Sequence, residues 1–306
     1  MRTVIACVDR FENLCKEAVS ILRDNGWELV DNLSGYPYDF NRYAPFLQKA
    51  AVVVAGVEEW TSERMDMAPQ LKMIVRFGTG IDNIDSVAAA ARGIAVRRVL
   101  DGNTNAVAEQ AIALMYALLK KVPKLDQETK AGHWYRPMCT ELSGKQIGFL
   151  GFGKIPRKIA YKLQTSDVRM VAYDIAPDES AAKELQVQLT SLEQVLKESD
   201  IISVHLPLTI QTEMMLNART LSLMKPGAYL INTARGRILD QSALIALIRN
   251  GLIAGAGLDV FFEQPLAVGS EFTGMDAVVC SPYISSRTYE SMARTGFEVV
   301  RHILTL

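Results

Sequence analysis

The chain has 306 residues, enough for two domains of ordinary size, and its 49% hydrophobic and 22% charged residues are the composition of a globular protein and not of a disordered one. A formal net charge of −1 offers no bulk attraction to nucleic acid or to an acidic membrane surface. The longest apolar helix-like run, residues 111–119, is too short to cross a bilayer, no basic segment with an apolar core opens the sequence, and Cys7, Cys15, Cys139 and Cys280 are scattered without ligand spacing, so the expected setting is the reducing cytoplasm.

Residues 3–8 read as a strand, and residues 12–25 as a helix stopped by Gly26. Further strands are expected at residues 27–30, 51–55 and 71–75, with Tyr36-Pro37-Tyr38 as a loop. Asp85 or Ser86 can cap a short helix that ends at Gly93, and residues 94–96 form the next strand. This third of the chain is therefore a small α/β unit. After the polar turn Asp101-Gly102-Asn103-Thr104, a long helix begins near Asn105. It carries Val107, Ala111, Leu114 and Leu118, and closes with Lys120-Lys121 and then Pro123. The two lysines suit the negative end of the helix dipole, and the helix is the expected bridge between two domains.

Residues 145–174 hold the most informative pattern: a short apolar strand, Gly151-Phe152-Gly153, a helix bearing Ile155, Ile159 and Leu163, and a second strand running into Asp174. This is the order of a dinucleotide-binding βαβ unit. Gly151 permits the sharp turn, Gly153 lets a pyrophosphate approach the helix start, and Asp174 stands where a carboxylate can bond both ribose hydroxyls. It also disfavours the 2′-phosphate of NADP, and Ile175-Ala176-Pro177 offers no arginine to receive one. Pro156 occupies the position of the third glycine or alanine, which a first helical turn tolerates. Ser191 to Gln194 form a capping-box start. Strands follow at residues 201–206, 228–232, 253–260 and 277–280, Asp240 caps a helix ending at Gly251, and residues 285–306 are largely helical in pattern. The architecture expected is a doubly wound parallel sheet with ligand at the carboxyl ends of its strands.

Several stretches recur in the order seen in D-2-hydroxyacid dehydrogenases, and the chain resembles that family over nearly its whole length. They are Arg76-Phe-Gly-Thr-Gly-Ile-Asp-Asn83, Asn103 with Val107-Ala-Glu109, Gly151-Phe-Gly153, Ser203-Val-His-Leu-Pro-Leu-Thr209, Met224-Lys-Pro-Gly227, Asn232-Thr-Ala-Arg-Gly236, Leu258-Asp-Val-Phe261 and Ser281-Pro-Tyr-Ile284. The resemblance implies a Rossmann-type NAD-binding domain at residues 103–283 and a smaller flavodoxin-like substrate domain built from residues 1–102 and 284–306. It implies a homodimer and a small 2-oxo or 2-hydroxy acid as substrate. It places Val107, Gly151, Gly153, Lys154, Ile155, Asp174, His205, Pro207, Thr212, Thr233, Ala234 and Asp259 at the cofactor. Arg76, Gly78, Thr79 and Gly80 fall at the substrate; the N–H groups of the glycine turn can receive a carboxylate.

The family's catalytic trio is an arginine, a glutamate before a proline and a histidine after one. Arg235 matches the arginine, whose planar fork can hold a carboxylate and polarise a carbonyl. Gln264 stands in place of the glutamate, before Pro265, and Tyr283 in place of the histidine, after Pro282. The two changes make sense together. A carboxylate keeps an imidazole protonated, whereas a phenol already carries its proton at neutral pH and is hindered from releasing it by an adjacent anion. Tyr283 then becomes the expected proton donor, and the competing reading is a packing tyrosine in an NAD-binding homologue with little turnover. Formate dehydrogenases share the glutamine before proline but keep the histidine, so formate oxidation is the poorer expectation. His205 can serve as a substitute acid or as a structural group at the cofactor edge, and Arg98 as a reader of an anionic tail or as a solvated charge. Arg237 reads as surface, His133 and His302 carry no motif, and no residue cluster has metal-ligand spacing.

Overall fold

The computed structural model describes residues 2–35 and 38–306, so Tyr36 and Pro37 of the expected loop lie outside the described residues. Two compact units emerge, residues 1–103 with 286–306, and residues 104–285. The first contains β1 (Arg2–Asp9), α1 (Phe11–Leu14), α2 (Lys16–Asp24), β2 (Trp27–Asn32), α3 (Phe40–Leu47), β3 (Ala50–Ala55), α4 (Ser62–Asp66), β4 (Met73–Arg76), α5 (Ser86–Ala91) and β5 (Ala95–Arg98). The second contains α6 (Thr104–Leu119), α7 (Val122–Lys130), β6 (Gln146–Leu150), α8 (Lys154–Leu163), β7 (Arg169–Tyr173), α9 (Glu179–Glu184), β8 (Val187–Leu189), α10 (Leu192–Glu198), β9 (Ile201–Val204), α11 (Ala218–Leu221), β10 (Ala228–Asn232), α12 (Gln241–Arg249), β11 (Ile253–Leu258) and β12 (Val278–Cys280). The last helix, α13 (Tyr289–Ile303), returns to the first unit.

Both sheets are wholly parallel, in the order β2-β1-β3-β4-β5 and β12-β11-β10-β9-β6-β7-β8. Strand alternation explains why these apolar runs sit between two helical layers. In the first unit, Val4, Ala6, Val52 and Val54 join Val19 and Leu22 of α2 and Val299 and Ile303 of α13 in one core. Ile5, Cys7, Val53 and Ile74 face the other way, toward Leu47 of α3 and Met65 of α4. In the second unit, Ile147, Phe149 and Ile231 pack beneath α6 and α8, while Ile202, Val204 and Leu230 pack toward α10 and α12.

The structure departs from the sequence expectations at identifiable places. The helix expected over residues 12–25 breaks at Cys15 (φ −130°, ψ 40°), whose Sγ donates to the Met292 carbonyl at 3.3 Å. A Cβ on Gly296 of α13 would stand 2.7 Å from the Cys15 Cβ, so the break coincides with a close crossing that only glycine allows. α3 and α4 were not anticipated. Pro45 lies inside α3 and disguises it, although Asp39 caps the helix by accepting from Arg42 N–H at 3.0 Å. Pro123, read as the end of one helix, instead opens α7 near its first position, where a missing N–H has no intrahelical partner. The long helix α6 lies wholly in the second unit, against β10, β11 and α8; Gly257 of β11 admits Leu114, whose Cβ would be 2.9 Å from an added methyl. β9 and β11 each stop two residues before the expected end, at Val204 and Leu258; the N–H groups of His205 and Asp259 make the last bonds to the neighbouring strands, to the Leu150 carbonyl at 2.8 Å and the Asn232 carbonyl at 3.0 Å.

Among the described residues no helix is long and apolar enough to cross a membrane, and no group of three or more His, Cys, Asp or Glu side chains is placed to hold a metal ion. The four cysteines are free thiols, two buried and two exposed.

Candidate active site

Because all seven strands of the larger sheet run parallel, the segments that follow them leave along one edge. Strand order reverses between β6 and β9, the place where doubly wound sheets take their ligands. Gly151 follows β6 with φ +92°, and a Cβ there would stand 2.7 Å from the His205 carbonyl oxygen. No residue with a side chain fits this turn without moving the chain after β9. Gly153 is the N-cap of α8, and an added Cβ would meet nothing within 4 Å. The space in front of the helix start is therefore open, with Lys154 and Ile155 as the first two helical residues. Pro156 is third, buried, and in the first turn as expected.

Asp174 directly follows β7 and uses both oxygens locally, accepting from Phe152 N–H at 2.6 Å and from Ala176 N–H at 2.9 Å. The carboxylate thereby ties the glycine turn to the end of the second strand, in addition to presenting charge at that edge. After β9, His205 Nε2 lies 2.8 Å from Ser203 Oγ. The ring is half-buried, and desolvation lowers its pKa to about 3, which disfavours the imidazolium and speaks against the substitute-acid role. The Thr212 hydroxyl donates to the Pro207 carbonyl at 2.6 Å and closes the turn that follows. Val107 is 5% exposed in the second turn of α6, a core position in this structure.

The ends of β10, β11 and β12 carry the chemical groups. Asn232, fully buried, donates through Nδ2 to the Arg235 carbonyl and accepts at Oδ1 from Ala234 N–H, each at 3.0 Å. This closed turn sets the backbone of Thr233-Ala234-Arg235. Arg235 is extended and half-buried, and its Nη1 donates to the Ala234 carbonyl at 2.8 Å. The Thr233 hydroxyl is buried without a hydrogen-bond partner. At Gly236 an added Cβ would fall 2.0 Å from the carbonyl carbon and oxygen of Phe261, so the loop after β10 lies directly on the loop after β11. Gln264, half-buried on that second loop, donates through Nε2 to the Phe261 carbonyl at 3.5 Å.

Asp259 anchors the third loop. It is 2% exposed and accepts from Ser281 Oγ at 2.6 Å, from Ile284 and Ser285 N–H at 3.0 Å each, and from the Ser285 hydroxyl. Its own carbonyl accepts from Tyr283 N–H at 3.0 Å. Tyr283 adopts φ +55°, an uncommon conformation for a bulky residue, and the Asp259 bonds on either side account for its being held there. Sequence reading placed Asp259 at the cofactor; in the structure its hydrogen bonds go to the loop that bears Tyr283. Arg237, by contrast, is exposed and pairs with Glu213 at 2.5 Å, a surface charge as expected.

In the first unit Arg76 ends β4 and is 5% exposed; Nη1 donates to the Phe77 carbonyl at 2.6 Å and Nε has no partner. Gly78 follows with φ +149°, and a Cβ there would stand 3.1 Å from Arg76 Nη1. Its N–H is taken by the Arg76 carbonyl at 2.8 Å, so Gly78 supplies room above the guanidinium, and Thr79 and Gly80 are the residues left to offer turn amides to a ligand. Sequence reading missed the group beside it. Glu58 accepts from Gly56 N–H and from Trp60 Nε1, both at 2.9 Å. Burial raises its pKa, against the opposing Trp60 bond and the Arg76 charge. Cys7, pushed well up by burial and then by Glu58, lies against it. No spacing rule links residues 7, 58 and 76, which meet only because β1, β3 and β4 are neighbours.

A dinucleotide fits the second unit on its own features: an obligatory glycine turn, open space before the start of α8, a carboxylate at the end of β7 and a buried unpartnered hydroxyl at Thr233. These define an α/β protein with a doubly wound nucleotide-binding sheet. Residues 112–285 match the NAD-binding domain of the D-isomer specific 2-hydroxyacid dehydrogenases, and the chain belongs to that family. It is 40% identical to a glyoxylate reductase of Pyrococcus furiosus over 263 residues, 83% of this chain and 78% of that one. It is 34% identical to a D-3-phosphoglycerate dehydrogenase of Archaeoglobus fulgidus over 297 residues, which are 96% of this chain but only 56% of the relative. A solved D-lactate dehydrogenase of Aquifex aeolicus, complexed with NAD and lactic acid, superposes with a TM-score of 0.85 at 29% identity, covering 99% of this chain and 95% of that one.

Proposed function

We propose that the protein is an NAD-dependent dehydrogenase that interconverts small 2-oxo and 2-hydroxy acids, with Arg235 holding the substrate and Tyr283 moving the proton. The observation that carries this reading is the construction of the strand ends. Asn232 and Gly236 fix the loop of Arg235, and Asp259 fixes the loop of Tyr283, at the carboxyl edge of the sheet that has the glycine turn. Bound NAD supplies or accepts a hydride at the substrate C2. The Arg235 fork receives the carboxylate and the carbonyl oxygen, where negative charge grows as reduction proceeds. The Tyr283 hydroxyl gives its proton to that oxygen and regains one from solvent, and Gln264 leaves the phenol without an adjacent anion. Lys154, Ile155, Thr233 and Ala234 line the cofactor edge. A homodimer and a cytoplasmic setting belong to the same reading by family membership.

The exchange of glutamate and histidine for Gln264 and Tyr283 also supports a second reading, an NAD-binding family member without efficient turnover. One experiment separates the two: NADH consumption with glyoxylate, hydroxypyruvate, pyruvate, phenylpyruvate and 3-phosphohydroxypyruvate, alongside NADH binding on the same preparation. Reduction of any of these that is lost in Tyr283→Phe supports the first reading. Tight NADH binding with no reduction supports the second.

A further inference from the structure

Phe152, the middle residue of the glycine turn, has both of its backbone groups taken by side chains. Its N–H donates to Asp174 at 2.6 Å, and its carbonyl accepts from Arg157 Nε at 2.9 Å. The main-chain N–H of Arg157 takes the next carbonyl, that of Gly153, at 3.2 Å. The Arg157 guanidinium lies over the buried Phe152 ring, 5.4 Å from its centroid, and Nη1 donates to Asp178 at 2.9 Å. Asp178 is in turn the N-cap of α9, where its other oxygen accepts from Ala181 N–H at 3.0 Å. A closed set of bonds therefore joins the glycine turn, the start of α8 and the chain between β7 and α9, wholly within the second unit.

An anion before a helix is received by N–H groups and repelled by carbonyl oxygens. In a trans peptide the C=O and N–H point in opposite directions, so a bond that draws the Phe152 carbonyl toward Arg157 turns the Gly153 N–H away from it. Gly153 has no side chain to resist rotation, and an added Cβ would meet nothing within 4 Å, so nothing at that residue itself stops the peptide from flipping. We propose that Arg157, braced by Asp178, is a positioning residue for NAD: it holds the Phe152–Gly153 peptide with its N–H toward the open space before α8. A flip would set a carbonyl oxygen against the pyrophosphate in place of a donor. A partly exposed arginine–carboxylate pair adds little to stability, so this role is read in cofactor affinity and not in folding. It rests on NAD as the cofactor and on no step of the reaction.

The test compares wild type with Arg157→Gln, Arg157→Lys and Asp178→Asn, and with Lys158→Gln as a control for charge on the same helix. Dissociation constants of NADH and NADPH are measured by fluorescence, and urea midpoints on the same preparations. Arg157→Gln should weaken NADH by roughly 10-fold, the scale of one charged hydrogen bond, and NADPH by the same factor. Arg157→Lys should recover only part of this, because an ammonium lacks the fork that serves Phe152 and Asp178 together. Asp178→Asn keeps the helix cap and should give a smaller loss. Lys158→Gln should bind as wild type does. Arg157→Gln combined with Asp174→Asn should weaken NADH by less than the product of the two single losses, because both residues act through Phe152. Multiplying losses, unchanged NADH binding in Arg157→Gln, an equal loss in Lys158→Gln, or a loss that tracks a falling urea midpoint each overturn the role. So does a loss larger for NADPH than for NADH, which would make Arg157 a direct ligand of the 2′-phosphate. If the wild type binds neither dinucleotide, the cofactor assignment has failed, and the positioning role falls with it.

Discussion

The turn after β6 and the loops after β10, β11 and β12 leave the same edge of the same sheet, but they are made of different materials. The first is backbone: a glycine that nothing else can replace at φ +92°, an open helix start, and one carboxylate bonded to two N–H groups. Such a cradle has few ways to vary and keep its shape. The others are side chains mounted on hidden supports, Asn232 under Arg235 and Asp259 under Tyr283. A support that bonds to loop backbone and serine hydroxyls does not depend on which side chain the loop presents. The side chains presented there, Gln264 and Tyr283 among them, can therefore be exchanged while the frame around them stays intact.

If that contrast is right, damage at the side-chain end spares the cofactor. Arg235→Ala should lower 2-oxo acid reduction by about two orders of magnitude or more, the loss expected for one preorganised transition-state donor, and Arg235→Lys should not restore it because the planar fork is gone. NADH binding, followed by fluorescence on the same samples, should change far less. Parallel loss of NADH binding and activity would remove Arg235 from the substrate end.

At the backbone end the expected effect is on cofactor choice. Asp174 should disfavour a 2′-phosphate by on the order of 1 kcal/mol or more of like-charge repulsion, so NADH should bind several-fold tighter than NADPH. Equal dissociation constants would mean that the Asp174 carboxylate is spent wholly on Phe152 and Ala176.

A smaller and more diagnostic effect concerns the exchanged pair. Tyr283→His alone should give an imidazole that is poorly protonated near neutral pH, because Gln264 offers it no charge. Adding Gln264→Glu should raise the pKa of that imidazole and shift the alkaline limb of reductase activity upward. Superimposable pH–rate profiles for the single and double variants would show that the two positions are not coupled.

A last effect, on stability and not on activity, tests the frame itself. His205 is held neutral, with its pKa lowered to about 3, while in the unfolded chain it regains its ordinary value near 6.5. Between those values the unfolded state binds more protons, so stability falls as pH drops from the upper value toward the lower and is unaffected above it. His205→Asn should flatten that part of the acid-unfolding curve, read by urea denaturation across the same range. An unchanged slope would place the ring in solvent contact.

Legibility in the sequence follows the same division. Parallel strands buried on both faces are continuous apolar runs, and the strand of residues 228–232 and the helix capped by Asp240 appear in the structure with those bounds or nearly so. The glycine turn and Asp174 were legible because a backbone conformation with one acceptor leaves its mark at fixed spacing. α3 was hidden by Pro45, and the helix expected over residues 12–25 was divided at Cys15 by packing against a glycine 281 positions further along.

Sequence alone determined that there are two α/β sheets and that one ends in a dinucleotide turn. Those are matters of local periodicity, turn chemistry and ordered motifs. Only the tertiary structure decided that Asp259 orients the Tyr283 loop, that Gly236 presses the loop after β10 onto the loop after β11, that the His205 ring has its pKa lowered by desolvation, and that Arg98 lies in register with Arg76. Each depends on which strands become neighbours and where each ladder stops. Neighbourhood in a parallel sheet is set by crossovers through intervening helices, which no short-range pattern in the chain records.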